Sequence, residues 1–471
     1  MAVSWLETEL IWVSAKAFLI ALVLTPILRD ISRTYNIVDL PNLRKVHAYP
    51  IPRIGGIPIA IAYGLALVSF TDAGGTLGVP TWKLLPGAAL VFLTGLLDDF
   101  FDLRPAYKLI GQTAAALVVF WGGLRVDNLA QSPLPLWLNL PLTVFWLLVT
   151  TNALNLIDGL DGLCAGIGLV ATMTMFGAAL TAGNVALAHA TLPLAGALLG
   201  FLCYNVNPAT VFLGDSGAML IGFLLGCYGM IWTQKTATLL SLVVPLLALS
   251  VPLLDASLAI VRRFLRNQSV FKADRRHIHH RLLEQGLTPR KAVMVLYLFA
   301  AAVAAVAVLL STPLVKSYQN FVMLAILGVL LLAVRRLRYQ EFQVAGRMLL
   351  AGEFQRRLRD RLRLEKLAAE FEESANVDDW WAALAEFAAE SRWVRCVWIG
   401  GPGEMQEWVS SPKQSLWTLS VPLGDAGTIR IEGPSEPGDG AIDLPALAEM
   451  LRVSVAKRRA SWDRLASAEF T

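Results

Sequence analysis

Charge is scarce in this chain. Asp, Glu, Lys and Arg supply 16% of its 471 residues, 56% are hydrophobic, and the mean hydropathy is +0.57. That balance excludes an ordinary soluble protein of this length and points to a polytopic membrane protein with a soluble tail. Cysteine is scarcer still. Cys164, Cys203 and Cys227 fall in apolar segments and Cys396 in the tail, with no pair at metal-ligand spacing. They read as small packing residues, not as a disulfide framework. The chain has no Gly-rich nucleotide loop and no Gly-x-Ser-x-Gly motif, and nothing supports nucleic-acid binding. Glu7 and Glu9 stand where a signal peptide carries basic residues, so residues 10–28 are expected to be a retained membrane helix.

What the chain does have is a series of apolar segments: 10–28, 54–71, 84–99, 108–123, 136–154, 163–181, 188–205, 212–232, 238–261, 291–310 and 318–334. Eleven spans are expected. Alternate loops differ in charge. One set holds Arg29, Arg33, Arg44, Lys45, Arg53, Arg104, Lys108, Arg262, Arg263, Arg266, Lys272, Arg275, Arg276, Arg281, Arg290 and Lys291; the other holds only Lys83, Arg125, Lys235 and Lys316. This positive-inside bias predicts an N-out, C-in all-α membrane protein. After residue 335 the composition changes. Residues 336–376 form a charged linker with Arg356, Arg357, Arg359, Arg361 and Arg363, read either as a solvated helix or as one lying on anionic headgroups. Residues 377–471 are expected to be a small cytoplasmic α/β domain. A helix at 379–391 precedes strands at 393–399, 405–410, 416–422 and 427–432, and a helix follows from about 443, an order compatible with a GAF-like regulatory module.

Four polar clusters interrupt the apolar pattern, and the expected topology puts all of them on one face. Asp98, Asp99 and Asp102 end one span. On a helix Asp98 and Asp102 share a face, a pair able to hold Mg²⁺ or to act as a solvated helix end beside Arg104 and Lys108. Asn152, Asn155, Asp158 and Asp161 recur every third residue, which a regular helix cannot turn to one side. Gly159 and Gly162 therefore suggest that the helix ends or unwinds there, turning the last two carboxylates inward. Asp215 lies between Gly214 and Gly217 at the start of a long apolar helix, as a phosphate-site carboxylate or an N-cap. His277, His279 and His280 stand among Arg275, Arg276 and Arg281, a set suited to phosphate, with zinc or a lipid-binding patch as alternatives. Arg44, Lys45 and His47 form a second cationic group for phosphate.

These blocks resemble the polyprenyl-phosphate N-acetylhexosamine-1-phosphate transferases. The resemblance covers about residues 5–335 and rests on residues 39–47 with 52–56, Asp98 to Asp102, Asn152 to Asp161, Val211 to Gly217, and His277 to His280. Asp102 and the interrupted histidine run resemble the N-acetylglucosamine-type branch. The resemblance implies transfer of a sugar 1-phosphate from a UDP-N-acetylhexosamine to undecaprenyl phosphate, with UMP released and Mg²⁺ or Mn²⁺ as cofactor. It implies Asp98, Asp99 and Asp215 as catalytic and metal-binding residues. It further implies Lys45, His47, Asn152, Asn155, Asp158, Asp161, Asn205, Phe212, Asp274, His277, His279 and His280 as substrate contacts. The expected setting is the cytoplasmic face of a bacterial inner membrane, where a homodimer is compatible with the sequence. Two rival readings remain at this point. An intramembrane prenyltransferase also uses aspartates and Mg²⁺ but has no need of the histidines. A lipid-linked sugar carrier needs charges deep within spans, where Asp255 is the main acid, with Arg262 as its expected partner.

Overall fold

The computed structural model describes residues 2–38, 50–71, 81–129, 132–236, 242–265, 277–312, 318–337, 353–374, 376–391, 393–400, 405–410, 417–433 and 444–468. It divides into two units, Met1–Tyr339 and Gln340–Thr471. The first comprises α1 (Ala2–Thr34), α2 (Gly56–Thr71), α3 (Thr81–Phe101), α4 (Pro105–Trp121), α5 (Leu136–Ile157), α6 (Leu163–Thr181), α7 (Val185–Asn205), α8 (Gly214–Thr236), α9 (Val243–Ala248), α10 (Ser250–Leu265), α11 (Ile278–Glu284), α12 (Pro289–Leu310) and α13 (Gln319–Arg336). A short antiparallel pair, β1 (Asn128–Leu129) and β2 (Ser132–Pro133), links α4 to α5. Among the described residues, seven stretches are long and apolar enough to cross a membrane: Leu10–Thr34, Lys83–Phe101, Leu136–Ile157, Leu163–Thr181, Val185–Asn205, Gly214–Gln234 and Pro289–Leu310. At about 1.5 Å per residue such helices match a hydrocarbon core about 30 Å thick.

The expected single span at 238–261 is not one helix. α9 stops at Ala248 and α10 starts at Ser250, with Leu249 between them at φ −99° and ψ 16°. Pro252 has no N–H to donate to the Ala248 carbonyl, and its ring crowds that oxygen, so the helical ladder breaks there.

α8 is the centre of the unit, buried along nearly its whole length among α2, α3, α5 and α6. Lipid tails are as apolar as leucine, so close backbone approach has to drive such packing. Two Gly-x-x-x-Gly pairs provide it. Gly222 and Gly226 press α8 against Thr150 of α5, where a Cβ on Gly222 would stand 2.6 Å from the Thr150 carbonyl oxygen. Gly196 and Gly200 do the same for α7 against Ser14 and Phe18 of α1. Tyr204 Oη donates to Leu22 O at 3.0 Å, so α1 and α7 run parallel. Exposed Trp12, Trp121 and Trp137 mark one end of the helices, and exposed Tyr35, Phe101 and Tyr107 mark the other, as expected of two membrane interfaces. At the tryptophan end Asp127 accepts from Arg125 Nε at 2.6 Å and from Asn139 Nδ2 at 3.3 Å, and Gln234 Nε2 donates to Arg125 O at 2.9 Å. These bonds tie α4, α5 and α8 together there.

The second unit holds α14 (Glu353–Glu373), α15 (Val377–Glu390), strands β3 (Arg395–Ile399), β4 (Met405–Val409), β5 (Trp417–Pro422) and β6 (Thr428–Gly433), and α16 (Leu444–Ala468). The strands fall where alternation and turn residues put them, and pair antiparallel in the order β4-β3-β6-β5. Cys396, Trp398, Ile429 and Ile431 on one sheet face meet Phe371, Trp380, Leu384, Leu447 and Leu451 of the helices in one core. α14 contributes Leu367 and Phe371 to that core while Arg361 and Leu362 stay exposed.

The glycine contacts give a direct test. Gly222→Ala should destabilise the detergent-solubilised protein by about 1–3 kcal/mol through overpacking. Gly64→Ala, with nothing within 4 Å of the added Cβ, should leave the thermal midpoint unchanged or raise it. Equal midpoints for the two variants would contradict the packing described.

Candidate active site

The aromatic end marked by Tyr35 and Phe101 is where the polar motifs converge, and α8 organises them. Gly214, at φ +77°, turns the chain into α8 with no penalty from a side chain. The first N–H groups of the helix then need acceptors. Asp99, at the end of α3, supplies them: its Oδ1 accepts from Asp215 N at 2.7 Å, and its Oδ2 accepts from Ser216 N at 3.0 Å and Ser216 Oγ at 2.6 Å. A Cβ on Gly214 would overlap this carboxylate. Asp99 therefore caps α8 from another helix, and both of its oxygens are engaged.

The Asp215 side chain emerges from this anchored turn. Its Oδ2 receives Lys108 Nζ at 2.7 Å and Asn155 Nδ2 at 3.2 Å. Lys108 also pairs with Asp98 Oδ2, while Asp98 Oδ1 accepts from Leu103 N at 2.8 Å. The expected pairing of Asp98 with Asp102 on one helical face does not form. α3 ends at Phe101, and Asp102 lies beyond it at φ 46°. Asp98 thus finds its partner on α4, where Lys108 is the one charged side chain of an apolar helix. Among the described residues no three His, Cys, Asp or Glu side chains group as metal ligands. Two hard carboxylate oxygens converge on the Lys108 ammonium, and that donor set fits Mg²⁺, which binds through one or two carboxylates plus substrate phosphates. Asp98 and Asp215 would hold the ion; Asp99 is turned into the α8 cap.

The asparagine–aspartate ladder divides its duties. α5 ends at Ile157, and the chain unwinds through Asp158 and the left-handed Gly162, φ +77°, as the two glycines suggest. Asp158 turns toward the site. Burial, followed by the charge on Asp215, pushes its carboxyl up to about 8, and Arg53 acts in the opposite direction. Asn155 meets Asp215, whereas Asn152 and Asp161, and with them Asn205 at the end of α7, are held by other groups. Asn152 exchanges bonds with Gln112 of α4 at 3.3 and 2.7 Å and donates to Leu148 O at 2.8 Å. Asp161 accepts from Asn207 Nδ2 at 2.9 Å and Ala209 N at 3.0 Å. Asn205 accepts from Gly162 N at 3.1 Å and donates to Val211 O at 2.9 Å. Asn152 ties α5 to α4, and Asp161 and Asn205 fix the loops around the site. Phe212 belongs to a backbone zipper in which Phe212 N donates to Pro52 O at 2.8 Å and Gly55 N to Phe212 O at 2.9 Å. The zipper brings Arg53 alongside.

His277 opens α11 and is bonded to Asp255, while His279 packs over Gly159 with both ring nitrogens buried and lacking hydrogen bonds. Burial, then the neighbouring His280, lowers His279 to about 4. His280 lies against it, ring centroids 4.3 Å apart. Lys45, His47 and Asp274 lie outside the described residues. Sequence reasoning offered Lys108 only as a partner of a solvated helix end, and missed its contact with Asp215, the part played by Gln112 and the role of Asp255. A lone charge in the apolar α4 was the available signal for Lys108.

Two measurements check this geometry. Lys108→Met leaves Asp98 and Asp215 without their cation, so the thermal midpoint should fall in divalent-free buffer and recover on adding millimolar Mg²⁺. Failure of Mg²⁺ to restore it would count against a two-carboxylate metal site. For His279, the folded value of about 4 lies below the ordinary 6.5. The unfolded chain therefore protonates first, and stability is complete above about pH 6.5 and is lost toward pH 4. Its share is roughly 3 kcal/mol, and His279→Gln should flatten that part of the stability-versus-pH curve.

Comparison with known proteins agrees with the geometry. Residues 81–233 match the model of Glycosyl transferase family 4. A probable undecaprenyl-phosphate N-acetylglucosaminyl 1-phosphate transferase of Bacillus subtilis is 34% identical over 324 residues, 67% of this chain and 89% of that protein. A decaprenyl-phosphate N-acetylglucosaminephosphotransferase of Mycolicibacterium smegmatis is 34% identical over 63% of this chain and 80% of its own length. An undecaprenyl-phosphate alpha-N-acetylglucosaminyl 1-phosphate transferase of Escherichia coli K12 is 29% identical over 62% of this chain and 80% of its own. With the aspartates, the unwound ladder and the histidine helix gathered at one end of a multi-pass bundle, the chain belongs to the polyprenyl-phosphate N-acetylhexosamine-1-phosphate transferases of glycosyl transferase family 4.

Proposed function

We propose that the enzyme transfers N-acetylglucosamine 1-phosphate from UDP-N-acetylglucosamine to undecaprenyl phosphate at the cytoplasmic face of a bacterial inner membrane, releasing UMP. This is the first step of a cell-surface glycan. The observation that carries the reading is the cluster of Asp98, Lys108, Asn155 and Asp215 at a membrane-interface end of the bundle. Relatives acting on undecaprenyl or decaprenyl phosphate support the acceptor. The loop charges support the cytoplasmic face.

In this reading an oxygen of the lipid phosphate attacks the β-phosphorus of the donor. The bond from that phosphorus to the bridging oxygen breaks, and UMP leaves with the electron pair. Little covalent chemistry is required of the protein, so positioning and charge dominate. Asp215 and Asp98 would hold Mg²⁺, which when bound would neutralise charge on the diphosphate. Lys108 offers a second cation to the reacting phosphates, and Asn155 orients Asp215. His279, held neutral by burial, offers a ring nitrogen that no protein group occupies. Asp158, next to it in the unwound turn, presents a carboxyl to the donor.

The test is product analysis on protein in nanodiscs with UDP-N-acetylglucosamine and undecaprenyl phosphate. UMP release that needs Mg²⁺ and falls about 100-fold or more in Asp215→Asn is the expected result. Pyrophosphate release would indicate prenyl transfer, and a full rate for Asp215→Asn would remove that residue from the mechanism. Other UDP-N-acetyl sugars, such as an N-acetylfucosamine or a di-N-acetylated sugar, assayed in parallel, establish the donor.

A further inference from the structure

Asp255 lies in α10, is only 1% exposed, and has no place in the substrate set described above. Its carboxylate is shared between two atoms of the histidine motif. Oδ2 lies 2.7 Å from His277 Nδ1, and Oδ1 accepts the Ile278 N–H at 2.7 Å. An acceptor at Nδ1 requires the proton there and leaves Nε2 as the other nitrogen, which fixes the tautomer. The backbone bond anchors the first residue of α11, so the carboxylate sets both the place and the rotation of the ring. His277 then stacks on His279, ring centroids 5.9 Å apart and planes 5° apart. The ring of His279 packs on Gly159 so closely that any Cβ there would overlap it. The Asp255 carboxylate of α10 thus determines where an imidazole with two orphan nitrogens meets the turn that carries Asp158.

We propose that Asp255 is a positioning residue of the transferase: through His277 it orients His279 toward the diphosphate of the donor. The proposal rests on the transferase reading above.

The test uses the full-length protein in nanodiscs, with UDP-N-acetylglucosamine and undecaprenyl phosphate as probes. Asp255→Asn keeps the shape and can still accept the Ile278 N–H, but its amide nitrogen donates to Nδ1 and demands the opposite tautomer. The donor KM should rise about tenfold or more while the acceptor KM stays unchanged. His277→Asn should show the same pattern, and the double variant should be no worse than His277→Asn alone, because the two residues act in series. Hydrogen exchange across residues 277–284 should stay protected in Asp255→Asn and lose protection in Asp255→Leu. Wild-type kinetics for Asp255→Asn, additive losses in the double variant, or equal loss of both KM values together with the thermal midpoint would overturn the proposal. The last outcome would make Asp255 a helix anchor and nothing more. Should Asp255→Asn fail to fold, His277→Asn alone must still show the donor-selective shift, or the proposal is overturned. An inactive wild type would overturn the transferase reading and this proposal with it; an active wild type with an unchanged Asp255→Asn would overturn this proposal only.

Discussion

The bond between the Asp99 carboxylate and the N-terminus of α8 is the constraint on which the site depends. A buried helix end leaves N–H groups without partners, and a carboxylate at a membrane interface needs compensation for lost water. Each satisfies the other, aided by the positive end of the helix dipole. The result locks α3 to α8 across 116 residues of sequence. Asp215 is then presented from a turn that cannot move without breaking three hydrogen bonds. Lys108, Asn155 and Asp98 arrange themselves around that fixed carboxylate.

The rest of the bundle serves the same end. Glycine pairs on α7 and α8 bring backbones close enough for van der Waals contact to replace the hydrophobic effect that lipid cannot supply. The tryptophan end is closed by a neutral and charged hydrogen-bond network around Asp127. The opposite end is irregular: α5 unwinds at Asp158, α6 is entered through the left-handed Gly162, and α11 is only two turns long. Irregular backbone at membrane depth is tolerated where it lines a polar site. The structure thus separates a rigid half that packs from a broken half that offers side chains to charged substrates.

Much of this was legible in the chain because membrane helices announce themselves by length and apolarity. The seven long spans found among the described residues and the strands of the tail follow from local pattern, and the expectation that the polar clusters share one face comes from the alternation of loop charge. Long-range partners did not. Nothing near position 108 says that its ammonium meets Asp215, and nothing near Asp255 says that its partner is His277 and not Arg262. Polar residues inside apolar runs were also ambiguous. Asn152, Asp161 and Asn205 have the look of substrate contacts, yet their hydrogen-bonding capacity is met by Gln112, by Asn207 and Ala209, and by Gly162 and Val211. A buried amide must find a partner, and the sequence does not say whether that partner is protein or substrate. Asp102 was misplaced for a simpler reason: the helix ends one residue before it.

The most direct measurement is anomalous diffraction from crystals grown with Mn²⁺ and UDP-N-acetylglucosamine. One strong metal peak at coordination distance from Asp215 and Asp98, with Asp99 still bonded to the α8 N–H groups, is the result expected. A peak coordinated by Asp99 with those N–H bonds broken, or a donor diphosphate bound away from the Asp215 turn, would contradict the account.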